Sequence, residues 1–380
     1  MTLHYPHNLM KILVTGGAGF IGSHTVDLLI ANGHTVRVMD NLTPPVHVAG
    51  HWPDYLPSGV ETVLGDVRDR SAWEAALPGV DAVIHLAAYQ DYLPDFSKFF
   101  HVNCVGTALL YEIIVEKNLP VQKIVVASSQ ASYGEGKYTC PNDGVVYPGQ
   151  RAEAQLKARD WEVKCPECSG AIQWQLTPED ALVNPASAYG MSKFAQEMLA
   201  INLGKRYGIP TVGMRYSIVQ GARQSFRNAY SGALRIFAMQ TLAGQCPTVY
   251  EDGQQIRDFV YVGDVAKANV LVLQDDRANY QAFNVGGGQG ITVEEFANVM
   301  IRASGRNLTP NITQEYRFGD TRHIFSDVSQ LRALGWEPAG SVEQNCSEYL
   351  AWATTRPDFR NYAAEAREYM QKVGTVRGGK

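Results

Sequence analysis

Between residues 11 and 216 the chain repeats one alternation. Short β-branched and aliphatic runs stand at 12–14, 35–39, 60–64, 81–85, 123–127 and 210–216. Stretches with helical spacing lie between them, at 23–30, at an amphipathic 99–116 and at 188–207. Ser187 is placed to cap the last of these, after the extended entry Asn184-Pro185-Ala186. Strands alternating with helices predict an α/β protein with a doubly wound parallel sheet, its ligands at the carboxyl ends of the strands. The rhythm breaks at 135–183, a polar stretch with Pro141, Pro148, Pro166 and Pro178 that is too long for an ordinary connection. It predicts an inserted element. Beyond about 217 the elements become shorter and mixed, as in a smaller α/β lobe interleaved with the first. Residues 1–9 read as a loose leader.

The first strand leads into Thr15-Gly16-Gly17-Ala18-Gly19-Phe20-Ile21-Gly22, and a helix follows. In that order the glycines permit a tight turn and close approach of the backbone to a diphosphate, which sits on the helix N-terminus. The second strand ends in Asp40, about eighteen residues beyond Gly22, where an acid holds an adenosine ribose. No Arg or Lys at 40–43 is available for a 2′-phosphate, so NAD is expected in preference to NADP. Residues 10–216 are thus expected to form an NAD-binding Rossmann domain.

Composition narrows the partners. A length of 380 residues, 45% hydrophobic and 19% charged, suits a globular enzyme of two lobes. A net charge of −5 gives no reason to expect nucleic acid, and no basic run suggests a membrane surface. No apolar stretch is expected to reach the length of a span. The six cysteines are scattered except for Cys165-x-x-Cys168, which is no secreted disulfide framework, so a cytoplasmic protein is expected.

Two constellations carry chemistry. Tyr189-Gly190-Met191-Ser192-Lys193 puts a phenol and an ammonium on one helical face. A tyrosine ionises near ~10. At an effective dielectric of ~20, a cation about 5 Å away favours the phenolate by roughly 3 kcal/mol, or about two pH units. Tyr189 is therefore expected to have a lowered pKa, fit for a general base. Within the insertion, Cys140-x-x-Asp143 precedes Cys165-x-x-Cys168; two such pairs on separate turns predict a structural zinc site with Asp143 as the fourth ligand.

With these motifs in place the chain resembles the extended short-chain dehydrogenase/reductase family, in particular its nucleotide-sugar epimerases. The resemblance rests on the glycine stretch, Asp40-Asn41-Leu42, Gly65-Asp66, His85-Leu86-Ala87-Ala88, Ser128-Ser129 through Tyr133-Gly134, and Tyr189-x-x-x-Lys193. Farther on it includes Gly253-x-x-x-Arg257-Asp258, Phe283-Asn284-Val285-Gly286 and Arg317-x-Gly319-Asp320-x-Arg322. It implies that Ser129, Tyr189 and Lys193 are catalytic. It places Gly16, Gly19, Phe20, Ile21, Gly22, Asp40, Asn41, Asp66, Val67, Leu86, Ala87, Ala88 and Asn103, with Tyr189 and Lys193, on NAD. Ser129, Gln130, Arg257, Arg317 and Asp320 would meet the nucleotide sugar, whose lobe would be 217–380. A homodimer through the helices near 99–116 and 188–207 is implied as well. Family members that eliminate water carry Asp-Glu after the catalytic hydroxyl, where this chain has Gln130-Ala131, so oxidation and re-reduction at C4 is expected instead. Ile218 stands where many epimerases have a substrate-contacting Asn and predicts a less polar pocket. With the insertion, it points to dTDP-L-rhamnose as substrate. The alternatives are a UDP-hexose or UDP-uronate 4-epimerase, or a nucleotide-sugar 4-ketoreductase.

Overall fold

The computed structural model describes residues 9–47, 50–91, 93–227, 232–357 and 359–378. The leader expected at 1–9 lies almost wholly outside them. Seven parallel strands make the main sheet: β1 (Lys11–Thr15), β2 (Thr35–Asp40), β3 (Glu61–Leu64), β4 (Ala82–His85), β5 (Lys123–Ser129), β6 (Thr211–Tyr216) and β7 (Ala282–Val285). Their order is β7-β6-β5-β4-β1-β2-β3, so the sheet reverses direction between β1 and β4. That reversal opens a crevice beyond the strand ends, where ligands of doubly wound sheets bind. β1, β4 and β5 are almost wholly buried, as the two-sided cover of such a sheet requires.

Helices α1 (Phe20–Ala31), α2 (Phe96–Glu116), α3 (Ala188–Tyr207) and α4 (Val262–Gln274) frame this sheet. α1 and α4 pack together on one face; α2 and α3 pack together on the other. Ser187 caps α3 as its sequence suggests, its Oγ accepting from the Gly190 amide at 3.1 Å. α2 carries one π-helical turn, His101–Val105. Such turns insert a residue and redirect the side chains around it, often at functional sites. Here the turn brings Asn103 against α3.

α2 corrects one expectation. By length and composition it is apolar enough to cross a membrane. Leu110, Ile113 and Ile114 on it are buried in the core, whereas Phe96, Phe100, Val105 and Val115 stay exposed.

After β6 the chain alternates between two bodies. α4 and β7 return to the main sheet, while the helices Ala233–Leu242, Val293–Ser304 and Val342–Thr354 pack around a second core that includes Phe237, Phe259, Phe296 and Tyr349. The insertion forms a three-stranded antiparallel sheet of Gly144–Val146, Tyr138–Cys140 and Gln173–Trp174, with the short helix Glu153–Lys157 beside it.

Candidate functional site

The glycine turn fits a dinucleotide by steric exclusion. A Cβ on Gly22 would lie 2.1 Å from the Gly16 carbonyl oxygen, and one on Gly16, whose φ is +67°, would lie 2.8 Å from the Ala87 amide nitrogen. α1 begins at Gly19 with no side-chain cap and no acid in its first turn. Its leading N–H groups are thus left for an anionic ligand. Asp40 closes the end of β2, accepting from the Ala18 amide at 3.2 Å and the Leu42 amide at 3.0 Å. Burial pushes its pKa up, against the pull of His47, which lies 3.7 Å away. Beside it the Asn41 amide donates to Asp66 at 3.0 Å. Burial would raise the Asp66 carboxyl, but the Arg68 side chain and amide, with Asn41, outweigh it and hold it at about 2. Val67 is buried, and its carbonyl accepts from the Trp73 indole at 2.7 Å. Leu86 and Ala87 are tied to Thr15 through their amides, which brings the β4 turn, with Ala88 after it, beside the glycine loop.

A buried chain of hydrogen bonds runs from this loop to Lys193. Thr15 Oγ1 lies 2.6 Å from His85 Nδ1, His85 Nε2 lies 3.0 Å from Thr107 Oγ1, and Gln196 Nε2 donates to Thr107 Oγ1 at 2.9 Å. Lys193 Nζ closes the chain on Gln196 Oε1 at 2.9 Å and also donates to the Ala127 carbonyl at 2.7 Å. The proton positions follow from the partners. Thr107 donates to the Asn103 carbonyl, so it must accept from His85, which therefore carries its proton on Nε2 and accepts from Thr15 on Nδ1. Burial pushes the His85 pKa down to about 3 and keeps the ring neutral. His85 is structural here, as its place at a strand end suggests. Asn103 Oδ1 accepts from the Tyr89 amide at 2.9 Å while its Nδ2 donates to Ser192 Oγ at 2.9 Å.

Ser129 ends β5, and Tyr189 opens α3 opposite it, near enough for the Ser129 hydroxyl to favour the phenolate. The expected lowering of the Tyr189 pKa is not found. Burial raises it to about 12, with only the Ser129 hydroxyl opposing. Lys193 does not offset this; burial lowers its own pKa to about 7, and its nitrogen donates to Ala127 and Gln196. Ser129 also accepts from the Ala131 amide at 3.1 Å. Gln130 donates to Ser326 at 2.7 Å, inside a polar knot with Ser217 and Asp258.

Arg257 and Asp258, adjacent in sequence, do not pair. Asp258 is fully buried and accepts from Ser217, Ser326 and the Gly287 amide. The Arg257 guanidinium is held by the carbonyls of Ile256, Thr321 and Arg322 at 2.8–3.0 Å. It lies on the wall of a cavity of about 760 Å³. Arg317, paired to Asp320 at 2.5 Å, shares that wall, with Tyr250 and the apolar Ile236 and Met370 nearby. Ser129 and Tyr189 do not line it. A smaller cleft of about 230 Å³ lies between Gly134, Asn184, the insertion's Pro148 and Gln150, and Thr321. Ile218 lines neither space and packs against the second core.

Several site groups have no sequence motif. Arg151 of the insertion forks onto Glu251 at 2.9 Å, and Arg322 reaches Glu251 at 3.2 Å, Asp252 at 2.7 Å and Glu162 at 2.6 Å. Burial pushes the nearby Glu135 up to about 7. The C-terminal segment adds a further wall, with Ala363, Arg367 and Met370 on the large cavity and Val376–Arg377 paired to Tyr316–Arg317. A buried ion network has no period, and of its members only Arg322 stood in a motif, Arg317-x-Gly319-Asp320-x-Arg322.

A glycine-cradled anion site at a doubly wound sheet reversal, facing a Ser/Tyr/Lys set, defines a nicotinamide-dependent enzyme. The family model described as NAD dependent epimerase/dehydratase family matches residues 12–150 and 169–286. The gap falls inside the insertion. A dTDP-L-rhamnose 4-epimerase of Burkholderia thailandensis is 35% identical over 92% of this chain and 97% of its own. Among solved structures, the UDP-glucose 4-epimerase of Thermotoga maritima with UDP-glucose has a TM-score of 0.74 at 28% identity, covering 91% of this chain and 99% of that one. The Thermus thermophilus UDP-glucose 4-epimerase in complex with NAD has a TM-score of 0.69 at 29% identity, covering 90% and 98%. The chain belongs to the NAD-dependent epimerase/dehydratase family, and its cofactor is NAD.

Proposed function

We propose that the protein epimerises a nucleotide-activated hexose at C4 through a transient 4-keto sugar, with dTDP-L-rhamnose as the first substrate to test. The observation that carries the reading is the Ser129 hydroxyl facing Tyr189 at the end of β5, followed by Gln130 and Ala131. Neither of those two can titrate, so the acid–base pair that elimination needs is missing beside the reacting hydroxyl. The likeness to the Burkholderia thailandensis enzyme along nearly the whole chain supports the choice of sugar. UDP-hexoses and UDP-uronates are the alternative epimerase substrates, and a 4-ketoreductase is the alternative reaction.

In this reading residues 10–216 carry NAD and 217–380 the nucleotide sugar. The α1 amides and Gly16, Gly19 and Gly22 hold the diphosphate of NAD; Asp40 holds its adenosine ribose and Asp66 and Val67 its adenine. When bound, NAD⁺ supplies the hydride acceptor and a positive charge near Tyr189. Tyr189 takes the proton of the C4 hydroxyl and later returns it. Ser129 holds the reacting oxygen between that phenol and its own hydroxyl. Lys193 is kept ready by Gln196 to hold the nicotinamide ribose. Arg257 and Arg317 meet the substrate diphosphate. The small cleft under Pro148 and Gln150 would house the sugar, with the insertion as its cover.

The same reading makes the protein a cytoplasmic homodimer, its two-fold contact formed by α2 and α3. Phe96, Phe100 and Val105 on α2 and Met191, Met198 and Tyr207 on α3 are exposed apolar side chains that such a contact would bury. A structural zinc in the insertion completes it and is argued next.

The test is a panel of dTDP- and UDP-sugars scored by product NMR without added cofactor. Product in excess of bound NAD, with no net absorbance change at the wavelength of reduced nicotinamide, supports the epimerase. Stoichiometric consumption of NADH or NADPH would establish the ketoreductase instead. Tyr189→Phe should keep bound NAD and lower turnover by a factor on the order of 10²–10⁴.

A further inference from the structure

The cysteines of the insertion sit on two facing turns. Tyr138–Cys140 pairs with Gly144–Val146, Cys140 opposite Gly144, and the positive φ of Gly144 folds Asp143 back beside Cys140. Across from it, the Cys165 amide donates to the Gly170 carbonyl at 2.9 Å and the Ser169 amide to the Cys165 carbonyl at 3.0 Å. Lys164 bridges Ala171 just outside that turn. The result brings the ligating atoms of Cys140, Asp143, Cys165 and Cys168 within 4.8 Å of one another.

The edges of this cluster match a metal polyhedron. Asp143 Oδ2 lies 3.1 Å from both Cys140 Sγ and Cys165 Sγ, and Cys140 Sγ lies 3.6 Å from Cys168 Sγ. Zinc bonds of about 2.3 Å to sulfur and about 2.0 Å to oxygen give tetrahedral edges of roughly 3.8 Å and 3.5 Å. Bonded sulfurs would stand at about 2.0 Å, so no disulfide joins these cysteines. Asn142 Nδ2 approaches Cys168 Sγ at 3.8 Å, a donor of the kind that supports a bound thiolate. Little within the ribbon itself holds it. Its buried cluster is Tyr138, Val146 and Val163 with Cys140 and Cys165 themselves. A core that small cannot offset the ordering of the segment, whereas metal binding can.

The geometry points to a structural Zn²⁺ held by Cys140, Asp143, Cys165 and Cys168, which locks a ribbon that braces Arg257. Two residues next to the ligands reach the 321–323 segment. Tyr138 donates to the His323 carbonyl at 3.3 Å, and Glu162 accepts from Arg322 at 2.6 Å and lies 3.1 Å from His323 Nε2. His323 Nδ1 in turn accepts from the Ile256 amide, and the Thr321 and Arg322 carbonyls aim Arg257. The site stands on its own geometry; its effect on nucleotide binding rests on the epimerase reading.

Metal analysis of protein prepared without added metal should find about one zinc per chain. Cobalt exchanged into the site should show a thiolate-to-metal charge-transfer band in the near ultraviolet. Cys165→Ser should lose the metal, and Asp143→Cys should keep it with a stronger band, which separates ligation from folding. The KM for the nucleotide sugar should rise on the order of tenfold in Cys165→Ser, with bound NAD unchanged. A folded, metal-free preparation that gives no cobalt band on titration would overturn the site. Metal loss with an unchanged KM would overturn the bracing of Arg257. Metal content is read without turnover, so a failed epimerase assay leaves that part of the test intact.

Discussion

Lys193→Met should change the pH dependence of stability as well as abolish turnover. Lys193 is fully buried, and burial moves its pKa from 10.5 to about 7. Between those values the unfolded chain binds a proton at this site that the folded chain does not, so stability rises with pH. The penalty is complete below about pH 7 and vanishes above about 10.5. One proton is worth about 1.4 kcal/mol per pH unit, so the wild type should gain about 2 kcal/mol from this site between pH 7 and pH 9. The methionine variant should lack that gain. It also leaves the Ala127 carbonyl and Gln196 Oε1 without the ammonium, a cost of roughly 1–3 kcal/mol that does not vary with pH. The slope is therefore a cleaner readout than the stability at one pH. Urea unfolding of NAD-free protein, followed by tryptophan fluorescence at pH 7 and pH 9, measures it as a difference between the two proteins. Glu135, raised to about 7, and other groups that do not interact with Lys193 cancel in that difference. Parallel curves for wild type and variant would refute the buried, deprotonating lysine.

Gly22→Ala must displace backbone, since its Cβ would fall 2.1 Å from the Gly16 oxygen and 2.7 Å from Gly17 Cα. NAD affinity by calorimetry should fall on the order of 10²-fold, as a misplacement of about 1 Å would cause. Glu197→Gln leaves the Arg215 cation buried without the carboxylate it now meets at 2.6 Å, and should destabilise by about 3–5 kcal/mol in urea. Met198→Glu puts a charge on the exposed apolar face of α3, and light scattering should find a smaller particle than the wild type if that face joins two copies.

The sheet was legible because its signal is local and periodic. Six strands before residue 217 and the cap at Ser187 follow from apolar runs and one hydroxyl. β7 was less so, since Ala282–Val285 is read as a strand only through its pairing with β6, far upstream in sequence. The Tyr189–Lys193 spacing put the two groups on one helical face, yet it could not show that burial would outweigh their attraction. The insertion divides the same way. The grouping of Cys140, Asp143, Cys165 and Cys168 was visible from spacing, while the Arg151–Glu251 fork joins residues a hundred positions apart. No local pattern encodes such a partner.

The Thr15–His85–Thr107–Gln196–Lys193 chain has a consequence for how this sequence can drift. Every member but Lys193, which only donates, is both supplier and recipient, so a lone replacement strands a buried donor or acceptor at a cost of roughly 1–3 kcal/mol. Replacing neighbours together removes most of that cost. These five positions, spread over three strand or helix pairings, should therefore be inherited as a block, and descendants that abandon one should be found to have exchanged its partner too.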